Sequence, residues 1–192
     1  MPHQVPYKYY TYDSLLNKKV VDFILEEFNK PENFHDALVG SGNGQQNDDI
    51  RKTKISFLPR NHWINNMLWH YVVDANEANY KFDLTFVSPC QLTNYNVGDF
   101  YTWHSDEDVY NVMLPDSEYM RKLSFTIQLS DWDEYEGGQF QLMTDFKSPP
   151  IVIPRSLGSI TFFDSRLMHR VLKVTKGNRK SLVGWVMGPR WK

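Results

Sequence analysis

The chain carries one cysteine, Cys90, so no disulfide can form within it and its stability must come from a packed core. A lone thiol of this kind fits a reducing compartment. There is no excess of positive charge: 21 Lys and Arg stand against 23 Asp and Glu, a formal net charge of −2. Nucleic-acid and anionic membrane surfaces call for a basic excess, so neither partner is expected. No run approaches the ~20 apolar residues that span a bilayer. The opening residues Met1, Pro2 and His3 lead into none of the basic-then-apolar pattern of a secretory signal. These absences together point to a cytoplasmic protein. No internal repeat is evident. The one biased stretch is the polar, glycine-rich run over 40–49, and no strand or Lys-Ser/Thr pair frames it as a phosphate-binding loop requires. It reads as a mobile loop or a long turn, either a lid or simply disordered.

Apolar material is plentiful. With 192 residues, 41% hydrophobic and 15% aromatic, the chain can bury a sizeable core as a single domain. Asp13 or Ser14 is placed to cap a first helix, in which Leu16, Val20, Phe23 and Ile24 follow helical spacing up to Pro31. A short strand is expected over 37–40 and another over 54–58. A second helix begins near His62 and carries the stripe Trp63, Ile64, Met67, Leu68, Tyr71 and Val72. From residue 80 onward the pattern shortens to alternating or apolar runs over 81–87, 123–129, 139–143, 151–153, 159–163, 170–174 and 181–186, separated by turn residues. Many short strands with regular turns argue for a sandwich or barrel. The expected class is mainly β with N-terminal helices (α+β). One domain spans 1–192, with a helical support region over 1–79 and a β core over 80–192.

His104 and Asp106 stand two residues apart, and i and i+2 of a strand share a face. They can offer an imidazole nitrogen and a carboxylate oxygen to one point. A lone His-x-Asp is frequent by chance, and His3, His35, His62 and His70 read as ordinary surface or helix histidines. The later chain gives the pair its meaning. His169 supplies a second imidazole, and Arg179 follows ten residues on, where strand parity groups it with Ser181, Val183 and Trp185. Two histidines and one carboxylate with open positions is the donor set of non-haem Fe(II) oxygenases. A guanidinium fork in the same cavity matches a carboxylate, and Ser181 could add a hydroxyl. The turn over 176–178 joins the last strands either as a hairpin or as a corner between sheets. Phe162 or Phe163 must be core by alternation.

The ordered set Tyr95, Gly98, Tyr101, His104 and Asp106, then Glu136, Gly137 and Gly138, then Gly158 and Phe163, then His169, Val171, Gly177 and Arg179, resembles the Fe(II)/2-oxoglutarate oxygenase superfamily, and most of all its prolyl-hydroxylase branch in its small bacterial and phage form. The resemblance covers about residues 80–192. It implies a double-stranded β-helix, or jelly roll. It implies Fe(II) held by His104, Asp106 and His169, and 2-oxoglutarate chelating the iron with its far carboxylate on Arg179. Tyr95 matches a tyrosine that contacts this carboxylate, Tyr101 would line the same pocket, and Trp185 falls where the branch often places a tryptophan near the metal. Gln91 resembles a substrate-contacting glutamine, and Trp103 is a candidate for the cavity wall. O2 is the co-reactant and ascorbate an accessory reductant. Collagen-type relatives usually anchor the cosubstrate with lysine; Arg179 here puts a collagen-like substrate in doubt.

The function implied is hydroxylation of an unactivated C–H bond, first of a prolyl residue in a peptide or protein. The alternatives are another amino-acid side chain or small metabolite with the same cofactors, and a jelly-roll binding module without activity. Neither the oligomeric state nor the role of the acidic run Asp131, Asp133, Glu134 and Glu136 is fixed by the sequence.

Overall fold

A computed structural model describes residues 9–38, 47–107 and 116–191. In chain order its strands are β1 (Tyr9–Tyr12), β2 (His35–Asp36), β3 (Arg51–Lys52), β4 (Lys54–Phe57), β5 (Phe86–Val87), β6 (Gln91–Tyr95), β7 (Phe100–His104) and β8 (Tyr119–Gln128). They continue as β9 (Tyr135–Gly137), β10 (Phe140–Met143), β11 (Ile151–Val152), β12 (Ile160–Asp164), β13 (Met168–Val171), β14 (Val174–Gly177) and β15 (Arg179–Pro189). Two α-helices, α1 (Lys18–Leu25) and α2 (Trp63–Ala75), come early in the chain. No helix among the described residues is long and apolar enough to cross a membrane.

The strands form two antiparallel sheets and a small ribbon. The larger sheet runs β1-β12-β8-β15-β6-β4-β2, with β5 also on β15; the smaller runs β11-β10-β13-β7-β3; β14 pairs with β9. The first 79 residues therefore supply more than helices. β1, β2 and β4 extend the larger sheet and β3 extends the smaller one. The 176–178 turn is a corner, not a hairpin: β14 stays with β9, while β15 enters the middle of the larger sheet between β8 and β6.

Alternation along β8, β12 and β15 gives the larger sheet two different faces. Leu123, Phe125 and Ile127, with Ile160, Phe162, Leu182 and Val186, pack outward against Ile64, Leu68, Val72 and Ala75 of α2 and Val21 and Ile24 of α1. Burying each such side chain stabilises the fold by roughly 1.5–3 kcal/mol. Phe163 turns the other way and packs with Phe140, Leu142, Val171 and Tyr95. Both phenylalanines are thus core, on opposite sides of one sheet.

Several expected elements shift. Neither Asp13 nor Ser14 caps α1: Asn17 does, its side chain accepting from the Val20 amide. The buried stripe is Val21 and Ile24, while Phe23 is exposed. Leu16 is buried ahead of the helix, its amide donating to the Gly158 carbonyl. The alternating 81–87 run yields only β5: a further helical turn, Asn76–Tyr80, follows α2 and ends at Lys81, which is left-handed. The 170–174 run is divided between β13 and β14, which belong to different sheets. The strand expected over 37–40 lies two residues earlier, as β2. Most of the glycine-rich run, 40–46, falls outside the described residues.

Candidate metal centre

β7 and β13 are neighbours, and their register sets His104 directly opposite His169. The ring centroids are 4.1 Å apart. A bulge in this pair sets one residue of β13, Arg170, against two of β7, Thr102 and Trp103, which lets Tyr101 and His104 share a face. Tyr101 stacks on His104 at 3.5 Å, and the Arg51 guanidinium from β3 lies 4.6 Å over the tyrosine. Trp103 takes the alternate face and lies under the Arg170 guanidinium, which in turn bonds Gln141. It does not border the hollow.

Asp106 reaches the histidines by a different route from the one strand parity suggests. β7 ends at His104, and Asp106 opens a turn whose Asp106 and Glu107 amides both donate to the Ser165 carbonyl. The Ser165 carbonyl, not strand pleat, sets the carboxylate's position. Its Oδ2 lies 3.5 Å from His169 Nε2 and its Oδ1 4.0 Å from His104 Nε2. One donor atom from each residue falls within 4.8 Å of the others, a grouping that could hold one metal ion.

The hydrogen bonds behind these side chains fix their donor atoms. His104 Nδ1 bonds the Thr102 carbonyl and His169 Nδ1 the Leu167 carbonyl, each at 2.9 Å. A carbonyl only accepts, so each Nδ1 carries a proton, and in the neutral ring that leaves the Nε2 lone pair for the shared point. Burial, with His169 alongside, lowers the His104 imidazole well below its ordinary value and keeps it neutral. Burial raises the Asp106 carboxyl, but His169, Arg121, His104 and the Ser124 hydrogen bond outweigh it and bring it below its ordinary value. The Ser124 hydroxyl donates to Asp106 Oδ2 at 2.7 Å. Arg121 stands 3.9 Å from Oδ1 and 3.8 Å over the Trp185 ring. Two imidazole nitrogens and a carboxylate suit a divalent ion.

Deeper between the sheets lies Arg179, 2% exposed. Its Nη1 donates to the Ser181 hydroxyl and its Nη2 to Gln128 Oε1, both at 3.2 Å. It stands 5.5 Å over the Tyr95 ring, on the paired position of β6. Ser181 shares a short hydrogen bond with Thr93. Gln91, with Thr93 and Tyr95, lies on the face of β6 away from Leu92 and the helices, and is buried. Burial pushes the Tyr101 hydroxyl up to about 12, so it stays a neutral donor. The structure therefore gathers His104, Asp106, His169, Tyr101 and Trp185 at one level of the hollow, and Tyr95, Arg179 and Ser181 at another.

Four further buried residues with polar atoms stand at these sites beyond those expected from the sequence: Arg51, Ser124, Gln128 and Tyr135. Ser124 and Gln128 lie in an alternating strand, where polar positions normally face water. The length of β8, ten residues with both faces covered, was the available signal. Arg51 and Tyr135 had none, since each depends on a distant strand.

A jelly roll with two imidazoles and a carboxylate converging between its sheets defines the class of non-haem metal oxygenase folds. Residues 90–187 match the family model of the 2OG-Fe(II) oxygenase superfamily, and the chain belongs to that superfamily. It is 34% identical over 117 residues to a PKHD-type hydroxylase of Hyphomonas neptunium, covering 61% of this chain and 48% of that protein. The chain spans about half the length of the curated relatives it matches. Among solved structures, a Trichoplax adhaerens prolyl hydroxylase in complex with a hypoxia inducible factor peptide fragment superposes with a TM-score of 0.76 at 15% identity, covering 94% of this chain and 84% of that one. A Pseudomonas putida prolyl-4-hydroxylase gives 0.71 at 20% identity, covering 96% and 94%. These likenesses establish the double-stranded β-helix fold.

Proposed function

We propose that this protein is an Fe(II)- and 2-oxoglutarate-dependent dioxygenase that hydroxylates an unactivated C–H bond, with a prolyl residue of a peptide or protein as its acceptor. The observation that carries the reading is the pairing of two features between the same two sheets. A three-residue donor set converges on one point, and a buried guanidinium on β15 has no carboxylate of the described residues hydrogen-bonded to it. A binding module has no use for the second.

His104 Nε2, Asp106 and His169 Nε2 would hold the iron. Bound Fe(II) with 2-oxoglutarate supplies the oxidising chemistry, in which O2 is consumed, 2-oxoglutarate becomes succinate and CO2, and one oxygen atom enters the substrate. The rest falls to the chain's own residues. Arg179, with Ser181 and Tyr95, takes the outer carboxylate of the dicarboxylate through charge-assisted hydrogen bonds. Tyr101 and Trp185 wall the hollow, and Phe140 and Phe163 close in on His169 at ring distances of 5.5 Å and 4.9 Å and keep water from it. Gln91 is a candidate contact for the substrate.

The prolyl acceptor rests on relatives: the printed names of PKHD-type hydroxylases and prolyl-4-hydroxylases support it. The same fold in a carbocyclase, at a TM-score of 0.65, is why the acceptor needs its own test. The purified chain with Fe(II), with and without ascorbate, should convert 2-oxoglutarate to succinate. Mass spectrometry of proline-containing peptides should show a gain of one oxygen. Succinate without a modified peptide would move the acceptor to another side chain or a metabolite. No succinate under any substrate would leave a non-catalytic module.

A further inference from the structure

We infer that Tyr135 is a positioning residue for Arg179, acting through Gln128, and that it thereby sets how tightly the outer carboxylate of the 2-oxo acid is held. This rests on the proposed cosubstrate site.

Gln128 is 6% exposed and both ends of its amide are hydrogen-bonded. Its Nε2 donates to the Ser130 carbonyl at 3.2 Å and to the Tyr135 hydroxyl at 2.6 Å. Its Oε1 accepts from Arg179 Nη2. Reversing the amide would set nitrogen against the guanidinium nitrogen and oxygen against the Ser130 carbonyl. Both contacts are repulsive, so the neighbours determine the orientation.

Tyr135 is itself held. Arg155 Nε donates to the Tyr135 hydroxyl at 3.1 Å, its Nη2 donates to the Trp132 and Tyr135 carbonyls at 3.1 Å and 2.6 Å, and its guanidinium lies 4.1 Å over the ring. The hydroxyl oxygen thus accepts from two sides. The order of the chain is Arg155 to Tyr135, Gln128 to Tyr135, and Arg179 to Gln128. All four side chains line one hollow. Gly138 brings Tyr135 and Arg179 together: a Cβ there would stand 3.2 Å from Arg179 Cδ and 3.2 Å from Tyr135 Cε2.

The consequence is specific. Gln128 and Ser181 hold the two arms of the Arg179 fork with neutral oxygens, so the guanidinium is aimed without being neutralised. Its charge remains available to a carboxylate. Removing the Tyr135 acceptor frees one side of the Gln128 amide, and the fork loses its set direction while keeping its charge. The loss should fall on ligands with an outer carboxylate and spare those without one.

The test is titration of 2-oxoglutarate and of 2-oxobutanoate, which lacks the outer carboxylate, onto the full chain loaded with Mn(II). Tyr135→Phe should weaken 2-oxoglutarate about tenfold, the worth of one buried hydrogen bond, and leave 2-oxobutanoate unchanged. Equal weakening of both acids, or of neither, would overturn the inference. Should Tyr135→Phe fail to fold, Gln128→Glu keeps the shape and sets a carboxylate on Arg179. It should cost 2-oxoglutarate more than tenfold, again sparing 2-oxobutanoate, and unchanged 2-oxoglutarate binding there would equally sink it. Wild type and Arg179→Ala binding 2-oxoglutarate alike would instead remove the proposed cosubstrate site, a separate result.

Discussion

β8 presents Leu123, Phe125 and Ile127 to the helices and Ser124, Thr126 and Gln128 to the space between the sheets. One strand, read at odd and even positions, builds two interiors of opposite character. The helix side is apolar and contributes through area removed from water. The inner side buries an acid, imidazoles, hydroxyls and a guanidinium, whose hydrogen bonds replace those lost to water with only a modest net gain. The inner side has its own apolar cluster around Phe140, Leu142, Phe163 and Val171, but the larger core lies on the helix side. The geometry of the hollow is maintained chiefly from that other face of the same strands, so stability and function are largely separable across a single sheet.

The largest expected break in that separation is chemical. His169→Ala should abolish Fe(II)-dependent succinate formation, a loss beyond about 100-fold because two protein ligands hold iron weakly. The thermal midpoint of the metal-free protein should move little beside it. Normal turnover in this variant would refute the ligand assignment.

Phe125→Ala should do the reverse. Phe125 is 1% exposed and packs 5.7 Å from Phe162, and Gly184 across the strand gives it room: a Cβ at 184 would stand 2.2 Å from its ring. Truncation there costs about 3–5 kcal/mol, a large part of a typical domain's stability. Denaturant unfolding should show that loss, while the fraction still folded binds 2-oxoglutarate as wild type does. A weakened cosubstrate with unchanged stability would mean the two faces are not separable.

Ser124→Ala probes the boundary, since Ser124 sits between Leu123 and Phe125 yet bonds Asp106. Loss of a hydrogen bond behind a metal ligand costs roughly 10–100-fold in metal affinity. Titration with Mn(II) should show a shift in that range with the fold intact; no shift would make the Ser124 contact structural only.

Much of this division was legible in the sequence, and what was not has a physical cause. The apolar stripe of α2 and the alternation of β8, β12 and β15 repeat at fixed periods, so local pattern was enough. His104, Asp106, His169 and Arg179 stood out through residue type and spacing. Yet Asp106 converges by a turn tied to Ser165, a contact 59 positions away that spacing does not encode. Tyr101 faces His104 only because of a bulge set by β13. Trp103, one residue from a candidate ligand, faces Arg170 for the same reason. Arg51, Gln128 and Tyr135 gain their roles from partners brought by other strands, and no local period marks such residues.

The smallest expected effect concerns the helix face, where titratable groups sit at the rim. Glu27 accepts from Lys30 Nζ at 2.7 Å and lies 3.7 Å from His62 Nε2, and His62 caps α2. The Lys30 hydrogen bond, only partly opposed by burial, holds the Glu27 carboxyl below its ordinary range. A carboxyl whose value is lower folded than unfolded stabilises the fold fully above its unfolded value, about 4.3, and loses that contribution as pH falls through the folded value. Partly exposed pairs of this kind contribute no more than about 1 kcal/mol. Glu27→Gln should therefore lower stability slightly at pH 7 and match wild type near pH 3, with the two unfolding curves converging on the acid side. Divergence toward acid instead would show that the Glu27 carboxylate opposes the fold at neutral pH.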